Sequence, residues 1–348
     1  MRQNVWFLFF LFFGTMTTGS MTMVDAQSPH QAGFEAVADP AAAVSLPELL
    51  GDLATDGGSE DDLLDQVIVL EHEVPIAQGE ALLVRESFTL RSWLLQPRRA
   101  ILLLTNTAAT SALWRAPADG YDGPAMAARR GYFAFTVDYI GVGDNERAGL
   151  DALDSTFERN QNGLKEVVRY IRFRRDVPRV DVVGESWGGA HAALLAADEE
   201  SVRSVVLSSM SYKATNPMFT SPEFVGMLKS LPDNFLPVDP ELLVGLAAGA
   251  PDAVKEHIRK SQAGKRVLTT QLWQFQEGLP HFDPGVAKVP GLVVAGPPEA
   301  ADHQALAADY GGGADYFEIP TAGHAPRLGS PETAAAYWNK VFEFLGSE

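Results

Sequence analysis

From Val67 onward, short apolar runs recur at intervals, each bounded by polar or glycine-rich turns. The first three, Val67-Ile-Val-Leu, Leu82-Leu-Val and Trp93-Leu-Leu, with a turn signal at Gly79, predict the early strands of a sheet. Ile101-Leu-Leu-Leu, Tyr132-Phe-Ala-Phe-Thr-Val, Val180-Asp-Val-Val, Val205-Val-Leu and Leu292-Val-Val then alternate with helix-length stretches. A strand that is apolar on both sides must be covered on both faces, so this rhythm predicts an α/β fold with a mostly parallel central sheet flanked by helices. Residues 213–285 break it: they are helix-like, carry several prolines together with Phe219, Phe224, Phe235, Trp273 and Phe275, and show no clear buried strand. They predict a helical cap insertion dividing a core of residues 66–212 and 286–348.

The N-terminus has a different texture. Arg2 precedes the apolar run Val5 to Phe13, which is too short to span a bilayer, and small side chains at Val24 and Ala26 fit a cut before Gln27. Residues 1–26 are expected to be a signal peptide, and the protein to be secreted or periplasmic. Residues 27–65 then form an acidic leader, with Asp56-Gly-Gly-Ser-Glu-Asp-Asp62 near its end and a capping-box pattern at Ser45-Leu-Pro-Glu48.

The chain has 348 residues, no cysteine and a formal net charge of -18. A thiolate nucleophile, disulfides and cysteine-bound metal are thereby excluded. The acidic balance disfavours phosphate backbones and anionic lipid, so neither nucleic acid nor a stable membrane partner is expected.

Gly184-Glu-Ser186-Trp-Gly188 has the form G-x-S-x-G, directly after the run ending at Val183 and before an alanine-rich helical stretch. A sharp strand-to-helix turn forces its serine into a strained backbone and tolerates only small neighbours, a demand that Gly184, Gly188 and Gly189 meet. It also lifts the hydroxyl above the sheet and aims helix N-terminal N–H groups at developing negative charge. Ser186 is the candidate nucleophile and the Trp187 backbone N–H a candidate oxyanion donor.

A serine hydroxyl needs a base, usually a histidine held by a carboxylate. Of the 7 histidines, His324 alone lies in a loop between an apolar run, Tyr316-Phe-Glu-Ile, and a helix-like stretch from Pro331 to Phe344. His191 falls in the helix after the nucleophile, His257 and His281 in the insertion, His303 beside Asp302, His72 on an early strand and His30 in the leader, where packing or exposure is expected. The acid should follow a strand between serine and histidine. Glu299, three residues past Gly296, is favoured over the alternative Asp302.

With these residues in place, the chain from about residue 66 onward resembles the α/β-hydrolase family. Gly131-Tyr-Phe-Ala-Phe-Thr-Val-Asp138-Tyr-Ile-Gly141-Val-Gly143-Asp144 is similar to the family's strand and glycine-bearing loop before the nucleophile. Val289-Pro-Gly-Leu-Val-Val-Ala-Gly296-Pro-Pro-Glu299 is similar to its acid strand, and Ile319-Pro-Thr-Ala-Gly-His324 to its histidine loop. Two departures stand out: glutamate replaces the usual aspartate at Glu299, and Thr105-Asn-Thr107-Ala-Ala-Thr110 replaces the His-Gly that commonly precedes an oxyanion residue. Thr107 is the candidate second oxyanion donor.

The resemblance implies acyl transfer to Ser186 and hydrolysis by water activated through His324, with no cofactor or metal. The expected substrate is a small carboxylic ester or lactone, and the aromatic and aliphatic residues of the insertion suggest an apolar acyl or alcohol group. Two other readings stay open. Ser186-Trp-Gly-Gly189 also resembles proline-releasing aminopeptidases of this fold, although their His-Gly-Gly-Pro-Gly-like loop is missing. A non-catalytic ligand-binding protein on the same fold is the other.

Overall fold

A computed structural model describes residues 64–94, 97–106, 109–147, 149–214, 221–231, 234–270 and 282–347. Residues 64–348 form one compact unit. The expected signal peptide and all but the end of the expected leader lie outside the described residues.

β1 (Ile68–Pro75) and β2 (Ala81–Phe88) pair as an antiparallel hairpin, with Ile68 opposite Phe88 and Pro75 opposite Ala81. Gly79, at φ 73°, makes the turn between them. Trp93-Leu, expected to continue the sheet, instead ends a short helix, α1 (Leu90–Leu94). Local side-chain bonds override the apolar pattern: the Thr89 N–H donates to Ser92 Oγ at 3.2 Å and the Ser92 N–H to Thr89 Oγ1 at 3.3 Å. The Trp93 ring still reaches the core, packing edge-on against Phe88 and Phe133.

The alternation expected beyond this point follows, as β3 (Arg99–Leu104), α2 (Gly123–Arg129), β4 (Tyr132–Val137), α3 (Phe157–Arg175), β5 (Val180–Glu185), α4 (Trp187–Leu195) and β6 (Val202–Ser208). The interval expected to be helical contributes α5 (Pro222–Lys229), β7 (Phe235–Pro237), α6 (Pro240–Leu246), α7 (Asp252–Gln262) and β8 (Arg266–Leu268). The antiparallel ribbon of β7 and β8 was not expected; three-residue strands carry too little periodicity to register. The chain then returns through β9 (Gly291–Ala295), α8 (Ala300–Asp309), β10 (Ala314–Glu318) and α9 (Pro331–Ser347).

The large sheet has eight strands in the order β1-β2-β4-β3-β5-β6-β9-β10. β2 is antiparallel to both β1 and β4, whereas β4, β3, β5, β6, β9 and β10 run parallel to one another. Every residue of β4, β5 and β9 is buried, which is why those runs read as mostly apolar without alternation; Asp181, a buried charge in β5, pairs with Arg203. Helix α3 starts where Thr156 accepts the Arg159 N–H at 3.1 Å and stops at Asp176, whose φ of 52° turns the chain out of the helix. Its buried face, including Leu164, Val167, Val168 and Ile171, has helical spacing.

Helices α6 and α7 pack Leu243, Ala247, Val254 and Ile258 against Ala109, Leu113 and Ala116 of the segment after β3, and against Ala325 and Leu328. Two polar bonds fasten the same contact. Gln262 receives the Thr110 N–H at 2.9 Å and donates to Thr110 Oγ1 at 3.1 Å, while His257 Nε2 donates to the Ala112 carbonyl at 2.9 Å. The insertion is therefore anchored on the segment that leaves β3. Among the described residues, no helix is long and apolar enough to cross a membrane.

Candidate active site

In a parallel sheet, loops leaving the carboxyl ends of the strands gather along one edge. Ser186 follows β5, Glu299 follows β9 and His324 follows β10, so all three candidates stand on that edge.

Ser186 has φ 55° and ψ -117°, a conformation costly for a residue with a Cβ. Its N–H donates to the Ser208 carbonyl at 2.7 Å and its own carbonyl receives the Gly189 N–H at 2.8 Å, so the turn is held from both sides. The expected small neighbours are sterically required. A Cβ on Gly184 would lie 2.1 Å from the Gly188 carbonyl oxygen, and one on Gly188 2.3 Å from that of Leu104. Gly188→Ala therefore meets fixed backbone and is expected to cost on the order of 3 kcal/mol, read as a lower denaturant midpoint at unchanged slope. Trp187 opens α4, where backbone N–H groups point out of the helix end. Thr107 lies outside the described residues.

His324 Nδ1 and Glu299 Oε1 are directly hydrogen-bonded. Burial works to lower the pKa of the imidazole, but the Glu299 carboxylate, helped by Glu185, more than offsets it, and His324 titrates above its ordinary 6.5. Burial likewise works to raise Glu299, and the imidazole on its oxygen holds it below its ordinary 4.5. The glutamate sits in a single turn, Pro297–Glu299, beginning at Gly296. A Cβ on Gly296 would come within 2.4 Å of the Ala322 carbonyl oxygen, so a glycine there lets the acid's turn lie against the histidine's loop.

Asp302 is engaged elsewhere. Its carboxylate accepts the N–H groups of Tyr212, Lys213 and Ala214 at 2.7, 2.8 and 3.0 Å, fastening the chain beyond β6. His303 works beside it: Nδ1–H donates to the Glu299 carbonyl at 3.0 Å and Nε2 accepts the Met210 N–H at 3.2 Å. This histidine thus ties the Glu299 backbone to the end of β6.

The other described histidines are packed rather than poised. His191 is buried, stacked on Phe157 with ring centroids 4.1 Å apart, and bonded through Nδ1 to Gln161 at 2.7 Å. Burial pushes its pKa down to about 3, so it stays uncharged. His72 is buried against Glu86, whose carboxylate also holds Arg175. His30 and His281 lie outside the described residues.

Three polar residues escaped the sequence reading: Glu185, which precedes Ser186, and Arg327 and Asn106, which both donate to its carboxylate. A signal existed for Glu185. A carboxylate between an apolar strand and a tight turn has to be buried, and a buried charge requires a partner. Among the described residues, no group of three or more potential ligand side chains could hold a metal ion.

A family model described as alpha/beta hydrolase fold matches residues 100–241. No curated protein matches the chain by sequence. Among solved structures, a hydrolase from Pseudomonas aeruginosa is 17% identical with a TM-score of 0.58, covering 79% of this chain and 98% of that one. A serine hydrolase involved in carbazole degradation is 21% identical, with a TM-score of 0.51 and coverage of 81% and 100%. An N-acyl homoserine lactone degrading enzyme is 16% identical, with a TM-score of 0.50 and coverage of 78% and 99%. The sheet order, the strand-to-helix turn at Ser186 and the match across β3 to β6 lead to one identification: the chain is an α/β-hydrolase-fold protein.

Proposed function

We propose that this protein is a serine hydrolase that cleaves carboxylic esters or lactones, with Ser186 as nucleophile, His324 as general base and Glu299 as the acid that orients it. The observation that carries this reading is the bond between His324 Nδ1 and Glu299, made on the same sheet edge as a serine in a strained turn. A carboxylate on Nδ1 fixes the tautomer that leaves Nε2 free of its proton and stabilises the imidazolium formed later.

His324 takes the Ser186 hydroxyl proton as the oxygen attacks the acyl carbon. The Trp187 N–H, with a second donor from the Thr107 segment, receives the oxyanion. Collapse expels the alcohol, which leaves with the proton from His324, and an ester joins the acyl group to Ser186 Oγ. His324 then deprotonates a water that attacks this ester, and the acid leaves as Ser186 regains its proton. A lactone gives a hydroxy acid by the same steps. The chemistry calls for no metal or organic cofactor.

The substrate class rests on two supports: the apolar side chains of the insertion, and the likeness in fold to an enzyme that degrades acyl lactones. The N-terminal sequence supports action outside the cytoplasm, and the net charge of -18 supports a reading without nucleic acid or a stable membrane partner.

Nitrophenyl esters of graded acyl length, run beside covalent labelling by a fluorophosphonate, test the reading. Stoichiometric labelling and a kcat/KM that rises with acyl length are expected. Preference for short, charged esters would refute the apolar substrate, and a folded protein that neither labels nor turns over would refute the hydrolase.

A further inference from the structure

Glu185 is the last residue of β5 and immediately precedes Ser186. Its buried carboxylate receives Arg327 Nε on one oxygen at 2.6 Å, and on the other Arg327 Nη2 at 3.2 Å and Asn106 Nδ2 at 2.9 Å. Arg327 is only 1% exposed, donates from Nη1 to the Leu113 carbonyl at 3.0 Å, and covers the Trp114 ring with its carbon 3.9 Å from the centroid. One ion pair therefore joins three stretches of chain. Glu185 belongs to the strand that delivers the nucleophile, Asn106 and Leu113 to the segment leaving β3, and Arg327 to the loop three residues beyond His324.

Stability alone does not account for this pair. Taking both charges out of water is costly, and a well-packed apolar pair of similar volume is commonly as stable or more so. What the pair supplies, and hydrocarbon does not, is direction. A planar guanidinium forked onto a carboxylate fixes both partners in angle as well as distance. The three joined stretches carry Ser186, the candidate oxyanion segment and His324, and none of these is adjacent in sequence to the others. The sequence also lacks the usual His-Gly after β3, so that segment has to be held by other bonds.

We propose that Glu185 and Arg327 are positioning residues, a buried clamp that holds the nucleophile turn, the segment after β3 and the histidine loop in one register, with Asn106 as its third arm. The proposal rests on the serine-hydrolase reading. The clamp touches no reacting atom and acts through Ser186 and His324. Small misplacement of these groups is enough to slow chemistry without weakening substrate binding.

The test uses the full chain and two variants. Glu185→Leu with Arg327→Met removes both charges together, so neither is left buried without its partner. Asn106→Ala cuts one arm and leaves the ion pair in place. Thermal midpoint, kcat and KM on a nitrophenyl ester, and the rate of fluorophosphonate labelling are read for each.

The double variant is expected to melt within a few degrees of wild type and keep KM within about twofold, while kcat and labelling rate both fall about a hundredfold. Asn106→Ala is expected to lose about tenfold in kcat at unchanged KM, with a midpoint lower by a few degrees as the buried carboxylate loses one donor. Folded variants with kcat within about threefold of wild type would overturn the clamp and reduce the cluster to packing. If the double variant does not fold, Asn106→Ala decides by the same criterion. A wild type that neither labels nor turns over removes the hydrolase reading and the clamp with it, a result distinct from an active wild type whose variants are equally active.

Discussion

Replacing Ser186 with alanine is expected to lower kcat by about 10⁵–10⁶-fold and to abolish fluorophosphonate labelling, while the protein remains folded. The expectation follows from what the hydroxyl does and what the backbone does without it. Removing Oγ removes the only atom that the acyl group would join, and the oxyanion donors and binding alone leave a residual of about 10³–10⁴-fold over water. The strain at this position resides in φ 55° and ψ -117°, which alanine shares with serine because both carry a Cβ. Stability should therefore shift by less than about 0.5 kcal/mol in denaturant unfolding. Ser186→Gly separates the two contributions further: it relieves the turn and should be about 1 kcal/mol more stable than Ser186→Ala, yet equally inert. Substantial turnover in folded Ser186→Ala would move the chemistry to another residue.

That pairing of strain and chemistry is why the candidate nucleophile could be picked out from sequence. Gly184, Gly188 and Gly189 are demanded by backbone approaches that leave no room for a side chain, and such a demand leaves its trace in a handful of consecutive letters. The buried strands were legible for a similar reason, since β4, β5 and β9 are covered on both faces and are apolar at most positions, with Asp181 in β5 tolerated because Arg203 pairs with it. Trp93 shows where that logic fails. An apolar triplet is compatible with strand or helix, and two hydroxyls at Thr89 and Ser92 decided it locally.

Contacts made across long stretches of chain were less legible. The clamp of Glu185, Arg327 and Asn106 joins positions 79 and 142 residues apart, and no local pattern announces such a meeting. Packing or exposure was expected for His303, and the fold packs it between the Glu299 carbonyl and the end of β6, a bridge that its place beside Asp302 did not announce. Spacing favoured Glu299 but left Asp302 open, because both follow the same strand within one turn of helix. Their partners differ: one carboxylate meets the imidazole of His324, the other three backbone N–H groups.

Glu299→Gln and Asp302→Asn should accordingly behave as opposites. Glutamine can still accept or donate at His324 Nδ1 but carries no charge, so it neither stabilises the imidazolium nor enforces the productive tautomer, and kcat is expected to fall about 10³–10⁴-fold. The pH profile adds a second readout. A general base must be neutral to act, and His324 titrates above its ordinary 6.5 because Glu299, with Glu185 behind it, outweighs the effect of burial. In wild type the acid limb of kcat/KM should therefore lie above pH 6.5, with activity present on its alkaline side and lost as pH falls through it. Glu299→Gln removes the largest upward influence and leaves burial acting downward, so the limb should move toward lower pH even as the maximum collapses. Asp302→Asn should leave both limb and kcat within about threefold of wild type, but cost about 1–2 kcal/mol of stability as three N–H groups lose a charged acceptor. If Asp302→Asn shifted the limb and Glu299→Gln did not, the acid would have been misassigned, because only a charge felt by His324 can move the pH at which that histidine gives up its proton.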